Sequence, residues 1–249
     1  MKAIIIAAGS GQRISKDLKS IPKSLINVNG KTIIDYQIKV LKQAGINDIT
    51  IITGKFGEKF KIKNIHYVKD SNHQNHDILG SLMEARKFLK DDVIVLYSDI
   101  IFEFKIIQQI LDSKENISIA IDNNWEQHYV GRTEHPKSEA ENVLINEEKK
   151  IVKIGKNIEN KNHNVGEFLG IVKFSEQGGN IFVKKYEEKF EKNNDKFDNA
   201  VPILKAYLTD MLQELINQGI KIEPIFISGN WCEIDTIQDL KRAEKQFSN

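Results

Sequence analysis

The first strong feature of the chain is a short apolar run that stops at a glycine-rich loop. The residues from Ile4 to Ala8 are all apolar, and Gly9 and Gly11 follow them closely. An unbroken apolar run of this length is typical of a strand that is buried on both faces of a parallel sheet. This start favours an α/β fold with a loop at the carboxyl end of a central strand.

Helical and strand patterns then alternate along the first half of the chain. A helix capped by Thr32 is predicted to end at Gly45, and strands are predicted at Asp48–Thr53 and Val93–Tyr97. Because such alternation implies right-handed crossovers, we predict a Rossmann-like, doubly wound and mostly parallel sheet. Ligands of such sheets bind beyond the carboxyl ends of the strands, where the glycine loop and Asp99 lie.

From about residue 116 the pattern changes to strands with few helices between them. Strand patterns at 117–122, 140–145, 149–154 and 166–174 predict a small antiparallel extension of the sheet. Since no repeat or proline-rich linker divides the chain, we predict one domain over residues 1–249. Its parts are predicted to be a nucleotide-binding part (about 1–115), an extension for a second substrate (about 116–175) and a closing part (about 176–249).

Composition excludes several kinds of partner. Lys and Arg number 36 against 35 Asp and Glu, a formal net charge of +1, so the chain lacks the positive field that holds nucleic acid. Its one cysteine, Cys232, cannot form an intramolecular disulfide and fits a reducing compartment. Apolar runs are far shorter than the ~20 residues that span a bilayer. We therefore expect a cytoplasmic protein without membrane insertion, and a homodimer is left open.

The loop after the first strand carries the first candidate site. It reads Ala7-Ala8-Gly9-Ser10-Gly11-Gln12-Arg13, and Pro22-Lys23 follows. Glycines let backbone amides converge on an anion, and Arg13 and Lys23 add the positive charge that a triphosphate requires. A dinucleotide fingerprint would need glycine in place of Ile14, and a Walker loop would need Gly-Lys-Ser/Thr, which is absent. A purely structural turn is the remaining alternative.

Three carboxylates are candidates for a metal site. Asp99 follows the most apolar strand, where an oxygen ligand suits Mg²⁺, although it could simply cap the next segment. Glu233 and Asp235 point to the same side if their segment is extended, and we expect them to face Asp99. The alternative is that they belong to the cap of the last helix, for which Thr236 and Asp239 are suited.

Together these motifs resemble a known family. The glycine loop with Arg13 and Pro22-Lys23 is similar to the signature of the nucleotidyltransferases that make nucleoside-diphosphate-activated sugars and small alcohols. The run Trp231-Cys232-Glu233-Ile234-Asp235-Thr236 is similar to the closing motif of that family. Asp99 corresponds to its metal-binding aspartate, but Ser98 precedes it where the family usually has glycine. Other segments resemble the phosphocholine and phosphonate cytidylyltransferases and relatives that use phosphoglutamine, so the likeness covers nearly the whole chain; they include Ser81-Leu82, Ala140-Glu141-Asn142 and Gly166-Glu167-Phe168.

The resemblance implies a fold and a set of roles. The fold would be like that of the nucleotide-diphospho-sugar transferases, and the nucleotide would be CTP. Arg13 and Lys23 would be the catalytic groups on its phosphates, and Asp99, Glu233 and Asp235 would hold Mg²⁺. The implied nucleotide-binding residues are Ala7, Ala8, Gly9, Ser10, Gly11, Arg13, Lys23 and Ser81.

Residues of the extension are candidates for binding the acceptor. A quaternary ammonium group calls for aromatic faces and acids, and an amino-acid acceptor also needs a cation such as Arg132 for its carboxylate. The aromatic residues could instead be ordinary core, and Arg132 could pair with an acid, so the acceptor stays open. The predicted acceptor-binding residues are Asp122, Trp125, Tyr129, Arg132, Glu141, Glu167 and Trp231.

The predicted reaction is Mg²⁺-dependent transfer of CMP from CTP to a small phosphate or phosphonate monoester. Phosphocholine, phosphoethanolamine, 2-aminoethylphosphonate and phosphoglutamine are acceptors of this type, and their products would serve decoration of cell-surface or capsule glycans. Because an acceptor oxygen is already anionic at neutral pH, no side-chain nucleophile is needed. The alternatives are a sugar-1-phosphate nucleotidyltransferase and a nucleotide-sensing module without turnover.

Overall fold

A computed structural model describes residues 1–9, 21–158, 164–191, 196–197 and 199–248. No helix in these ranges is long and apolar enough to cross a bilayer. The strands are β1 (Lys2–Ala7), β2 (Asn27–Val28), β3 (Lys31–Thr32), β4 (Asp48–Thr53), β5 (His66–Lys69), β6 (Val93–Tyr97), β7 (Ile100–Phe102), β8 (Ile117–Asp122), β9 (Glu141–Ile145), β10 (Ile151–Lys156), β11 (Asn164–Phe174), β12 (Glu223–Phe226) and β13 (Trp231–Glu233). The α-helices are α1 (Ile33–Gln43), α2 (Ile78–Glu84), α3 (Phe104–Leu111), α4 (Glu176–Glu191), α5 (Leu208–Asn217) and α6 (Ile237–Gln246).

The centre of the main sheet is parallel. Strand β1 lies between β4 and β6, and β5 continues the parallel sheet beyond β4. Side chains of β1 alternate between two separate cores: Ile4 and Ile6 pack on one face, and Ala3 and Ile5 on the other. The apolar start of the chain is therefore a strand buried on both faces, and the predicted α/β fold is confirmed.

The helix caps explain why α1 and α6 begin where they do. The Thr32 hydroxyl accepts from the backbone N–H of Asp35, whose carboxylate accepts from the backbone N–H of Thr32. Thr236 and Asp239 form the same reciprocal pair at the start of α6. Each box satisfies two backbone donors that a helix otherwise leaves without partners.

The antiparallel part is joined to the parallel part through β11. The second half of β11 pairs with β6, its first half pairs with β9, and β8 pairs with both halves along the other edge. Gly170 lies between the halves with a φ of +72°, and a Cβ atom there would overlap the ring of Tyr97. The four strands predicted for the antiparallel extension are β8, β9, β10 and β11, and they continue the main sheet through β6.

A short antiparallel pair outside the main sheet positions the end of the chain. Strand β13 pairs with β7, so that Glu233 lies opposite Ile100 and Trp231 opposite Phe102. The backbone N–H of Ile234 donates to the carbonyl of Asp99 at 2.9 Å. This pair, which the sequence analysis did not predict, brings the closing motif beside the end of β6.

Candidate active site

A cavity of about 670 Å³ lies beyond the carboxyl ends of β1 and β6. Its volume is in the usual range for small-molecule sites. This is the edge of the sheet where ligands of α/β folds bind. The lining includes Ala7, Ala8, Gly9, Lys23, Ser81, Tyr97, Asp99, His135, Glu139, Glu141, Lys156, Tyr207, Glu233 and Asp235.

Inside this cavity, Lys23 contacts two acidic residues that are far from it in the sequence. It begins a short 3₁₀ segment after Pro22, and its Nζ donates to Asp99 Oδ2 at 2.8 Å and to Asp235 Oδ1. Burial alone would lower the pKa of Lys23, but the charges of Asp99, Asp235 and Glu233 raise it above its ordinary value. The side chain is therefore a fixed ammonium group among carboxylates.

Asp99, Glu233 and Asp235 lie close enough together that their negative charges favour a further cation. Burial, together with the charges of Asp235 and Asp99, raises the pKa of Glu233. Asp99 Oδ1 is buried and has no hydrogen-bond partner in the part of the chain that the structure describes. Carboxylate oxygens are the ligands that Mg²⁺ prefers, so these residues fit a divalent cation. Their role as metal ligands stays a prediction.

His135 is a site residue that the sequence analysis missed. It is 4% exposed, its Nδ1 lies 3.0 Å from Asp235 Oδ2, and its Nε2 lies 3.7 Å from Glu233 Oε2. In the sequence it is a single histidine in a polar stretch before Pro136, and no spacing ties it to residues 233–235. Only the folded chain shows this proximity.

The residues predicted to bind the nucleotide are described in part. Ala7, Ala8 and Gly9 line the cavity, whereas Ser10, Gly11 and Arg13 lie outside the described residues. Nucleotide binding by these residues stays a prediction. Gly54 approaches this loop so closely that a Cβ atom there would overlap the carbonyl of Ala8.

Ser81 also lines the cavity, and its hydroxyl already has a partner. It donates to Oδ2 of the fully buried Asp70 at 2.7 Å. His76 Nε2 lies 2.8 Å from the same oxygen. The contribution of Ser81 to nucleotide binding stays a prediction.

Most of the predicted acceptor residues contact one another, and Glu141 alone among them is in the described lining of the cavity. Trp125 Nε1 donates to the carbonyl of Val165 at 3.1 Å, and the Tyr129 hydroxyl donates to Glu167 at 2.6 Å. Burial is the largest cause that raises the pKa of Glu167, to about 8. In the same way, Trp231 Nε1 donates to Asp122 Oδ2 at 2.8 Å. Acceptor roles for these residues stay predictions.

Arg132 is paired with acids. Its Nε donates to Asp239 Oδ1 at 2.6 Å, and its Nη2 donates to Glu233 Oε2 at 3.0 Å. The guanidinium group therefore binds two carboxylates near the end of the described chain. Its predicted contact with an acceptor carboxylate stays a prediction. The alternative, pairing with acidic residues of the chain itself, is present in the structure.

Glu141 is the predicted acceptor residue that does line the cavity. It accepts from the Thr209 hydroxyl at 2.6 Å, and burial raises its pKa to about 7. Nearby, Lys156 Nζ donates to Glu139 at 2.8 Å and lies 5.1 Å from the centre of the Tyr207 ring. This end of the cavity therefore offers acids, a cation and an aromatic face.

Comparison with known proteins assigns the chain to a family. Residues 3–161 match the model of the MobA-like NTP transferase domain, which is more than half of the chain. The chain belongs to this family, and it is a nucleotidyltransferase.

Individual relatives extend the likeness. The chain is 30% identical to the CTP:phosphoglutamine cytidylyltransferase of Campylobacter jejuni over 97% of its own length and 98% of that protein. A shorter match, 53% identical over 60 residues, covers 24% of this chain and 26% of the choline-phosphate cytidylyltransferase of Streptococcus pneumoniae. The solved structure of the CTP:phosphocholine cytidylyltransferase from Streptococcus pneumoniae superposes with a TM-score of 0.72 and 21% identity, covering 98% of this chain and 97% of that one. That structural match supports the fold.

Proposed function

We propose that the chain is a cytidylyltransferase that transfers CMP from CTP to a small phosphate or phosphonate monoester and releases pyrophosphate. The observation that carries this proposal is the meeting of Lys23, Asp99 and Asp235 at the carboxyl ends of β1 and β6. CTP is supported by the similarity, over nearly the full length, to the Campylobacter jejuni enzyme. Products of this kind would serve decoration of surface or capsule glycans.

The reaction requires positioned reactants and neutralised charge. An anionic oxygen of the acceptor attacks the α-phosphorus of CTP, a new P–O bond forms, and the bond from that phosphorus to the bridging oxygen of the β-phosphate breaks. The electron pair leaves with pyrophosphate. We propose that Lys23, which lines the cavity, and Arg13 hold phosphate oxygens.

Asp99, Asp235 and Glu233 would hold the divalent cation, which we propose to be Mg²⁺. When bound, such an ion neutralises charge on the phosphates of the nucleotide. Asp99 directly precedes β7 and Glu233 ends β13, so the pairing of these two strands brings the two residues near each other.

The acceptor is proposed to lie at the end of the cavity that contains Glu141. An acid beside the ring of Tyr207 suits a cationic nitrogen, and Lys156 suits a carboxylate. Phosphocholine, phosphoethanolamine and 2-aminoethylphosphonate present the first group, while phosphoglutamine presents a carboxylate as well. All four are therefore acceptors to test.

The test is a reaction panel that varies the nucleotide and the acceptor. The chain is incubated with Mg²⁺, one of CTP, ATP, GTP or UTP, and one of the four acceptors or a sugar 1-phosphate. Pyrophosphate release and the mass of the conjugate are measured. We expect CTP with a non-sugar acceptor to give product, and Asp99→Asn, with an unchanged circular dichroism spectrum, to give none. Turnover restricted to a sugar 1-phosphate with another nucleotide would contradict the proposal.

A further inference from the structure

One loop between β8 and β9 contacts all the acidic side chains of the closing motif. In this donor loop, residues 129–135, Arg132 donates to Glu233 at 3.0 Å and to Asp239 at 2.6 Å. His135 Nδ1 lies 3.0 Å from Asp235 Oδ2, which is a hydrogen-bonding distance. The loop and the motif are distant in sequence, so this contact is made by the tertiary fold alone.

The donor loop is fixed in place on the start of α6. The backbone N–H groups of Thr133 and Glu134 donate to Gln238 Oε1 at 2.8 and 3.2 Å. In return, Gln238 Nε2 donates to the carbonyl of Gly131 at 2.9 Å. Because Gln238 follows the cap of α6, the loop and the carboxylates of the motif are held in one frame.

The two oxygens of Asp235 have different partners. Oδ1 accepts from Lys23, on the side of Asp99, while Oδ2 lies against His135. Asp235 is 2% exposed and His135 is 4% exposed, so water is largely kept from this pair. A donor on Oδ2 therefore fixes the plane of the carboxylate and keeps Oδ1 toward Lys23, which also contacts Asp99.

We propose that His135 and Arg132 are positioning residues, which hold Asp235 and Glu233 in the orientation that binds the divalent cation. This inference rests on the proposed function, because it takes these carboxylates as the ligands. Neither residue need touch the nucleotide. Hydrogen-bond partners of ligating carboxylates change metal affinity or activity by about 10- to 100-fold when they are removed.

The direct test uses Mn²⁺ as a spectroscopic probe on the full chain with CTP present. The electron paramagnetic resonance signal of free Mn²⁺ gives the dissociation constant. We expect His135→Ala to weaken Mn²⁺ binding about 10-fold or more, and Arg132→Lys to weaken it too, since one ammonium group cannot span Glu233 and Asp239. The matched control is His66→Ala, which removes a histidine 3.8 Å from Asp48 on the parallel side of the sheet and should leave binding unchanged.

Conservative variants separate positioning from folding. The amide nitrogen of His135→Asn reaches the place of Nδ1, whereas that of His135→Gln reaches the place of Nε2. We therefore expect the asparagine variant to bind Mn²⁺ within about threefold of the unmodified chain and the glutamine variant to bind about 10-fold more weakly. This comparison also decides the question if His135→Ala fails to fold.

Two results would overturn the inference. The first is equal Mn²⁺ affinity of the asparagine and glutamine variants. The second is a folded His135→Ala that binds Mn²⁺ as the unmodified chain does. If the unmodified chain itself bound no Mn²⁺ with CTP, the proposed function would fail and the positioning role with it, so the two failures are distinguishable.

Discussion

The ammonium group of Lys23 lies between Asp99 and Asp235, and its positive charge offsets the repulsion between these two carboxylates. A buried carboxylate that loses its partner is costly, because neither water nor another charge replaces it. The side chain is thus important for stability as well as for the proposed phosphate contact. These two contributions can be measured separately.

Lys23→Met should lower the free energy of unfolding by about 3–5 kcal/mol in metal-free buffer. Mg²⁺ should restore part of this loss, because it supplies charge to the same carboxylates. Urea unfolding with EDTA and with Mg²⁺ measures both effects. The control is Lys137→Met, which removes an exposed pair with Glu126 and should cost less than about 1 kcal/mol. Equal losses in the two variants would contradict this account.

Glu141 should make stability depend on pH. Folding raises the pKa of this carboxyl from 4.5 to about 7, so the folded chain holds the proton more tightly than the unfolded chain. The free energy of unfolding therefore falls as pH rises from about 4.5 to 7 and then levels off. Glu141→Gln removes this penalty, so its stability relative to the unmodified chain should rise between pH 5 and pH 8, by at most roughly 3 kcal/mol.

Chemical denaturation of both proteins across this pH range is the measurement. Glu126→Gln is the matched control, because it makes the same substitution at an exposed position. A flat difference between Glu141→Gln and the unmodified chain would show that Glu141 is ionised throughout.

The residue types of the candidate site could be predicted from the sequence, but some of the contacts between its side chains could not. Lys23, Asp99 and Asp235 stand at positions with their own local signals, a Pro-Lys pair, a strand end and a helix start. His135 has no such signal, since its partner is Asp235 and the contact depends on how one loop packs against α6. Arg132 was a candidate for an acceptor carboxylate with pairing to an acid as the alternative, and the sequence could not reveal that those acids are Glu233 and Asp239.

At the level of single elements, two capping boxes of the same type differ in what surrounds them. Asp35 caps α1 at the surface, while Asp239 caps α6 and also accepts from Arg132 at 2.6 Å. Asp239 is 1% exposed. The cap of α6 is therefore part of a buried ion pair, and the cap of α1 is not.

Asp35→Ala should cost about 1 kcal/mol, the usual value for losing a cap. Asp239→Ala should cost about 3–5 kcal/mol, because it also leaves the guanidinium of Arg132 with one partner fewer in a buried place. Thermal or urea unfolding of the two variants gives the comparison. Similar costs would mean that the Arg132 contact adds nothing to the stability of α6.

The bend of β11 at Gly170 offers a second comparison between elements. Both Gly170 and Gly219 have positive φ, +72° and +77°, but only at Gly170 would a Cβ atom meet a neighbour, the ring of Tyr97. Gly219→Ala should cost about 1 kcal/mol for the backbone alone. Gly170→Ala should cost about 1–3 kcal/mol more, from the displaced ring. Urea unfolding measures both, and equal costs would contradict the close approach.

Strand prediction succeeded where apolar character is continuous and failed where strands are short. The bounds of β4, β6 and β8 follow from unbroken apolar or alternating runs. Strands β7 and β13 have three residues each, too few for a period to be detected, and they pair across more than half of the chain. The alternating pattern also could not reveal that one long strand, β11, would pair with both β6 and β9.

For the whole molecule, the proposed ligand should act as a stabiliser. A ligand that binds only the folded chain raises its stability by about 2.7 kcal/mol at a hundred times its dissociation constant. CTP with Mg²⁺ should therefore raise the melting temperature in a dose-dependent way, and CTP with EDTA should raise it less. Differential scanning fluorimetry with the four nucleoside triphosphates is the measurement. A larger shift with another nucleotide would count against CTP.

The pairing of β13 with β7 has a consequence for how the protein is made. A ribosome delivers Lys23 and Asp99 early, but Glu233 and Asp235 belong to the final part of the described chain. The parallel strands β1, β4, β5 and β6 can associate during synthesis, while the acidic cluster is assembled only after the segment from Trp231 onward has emerged from the exit tunnel. A nascent chain stalled before that point would contain Lys23 and Asp99 but neither Glu233 nor Asp235, so the proposed cation site would be incomplete.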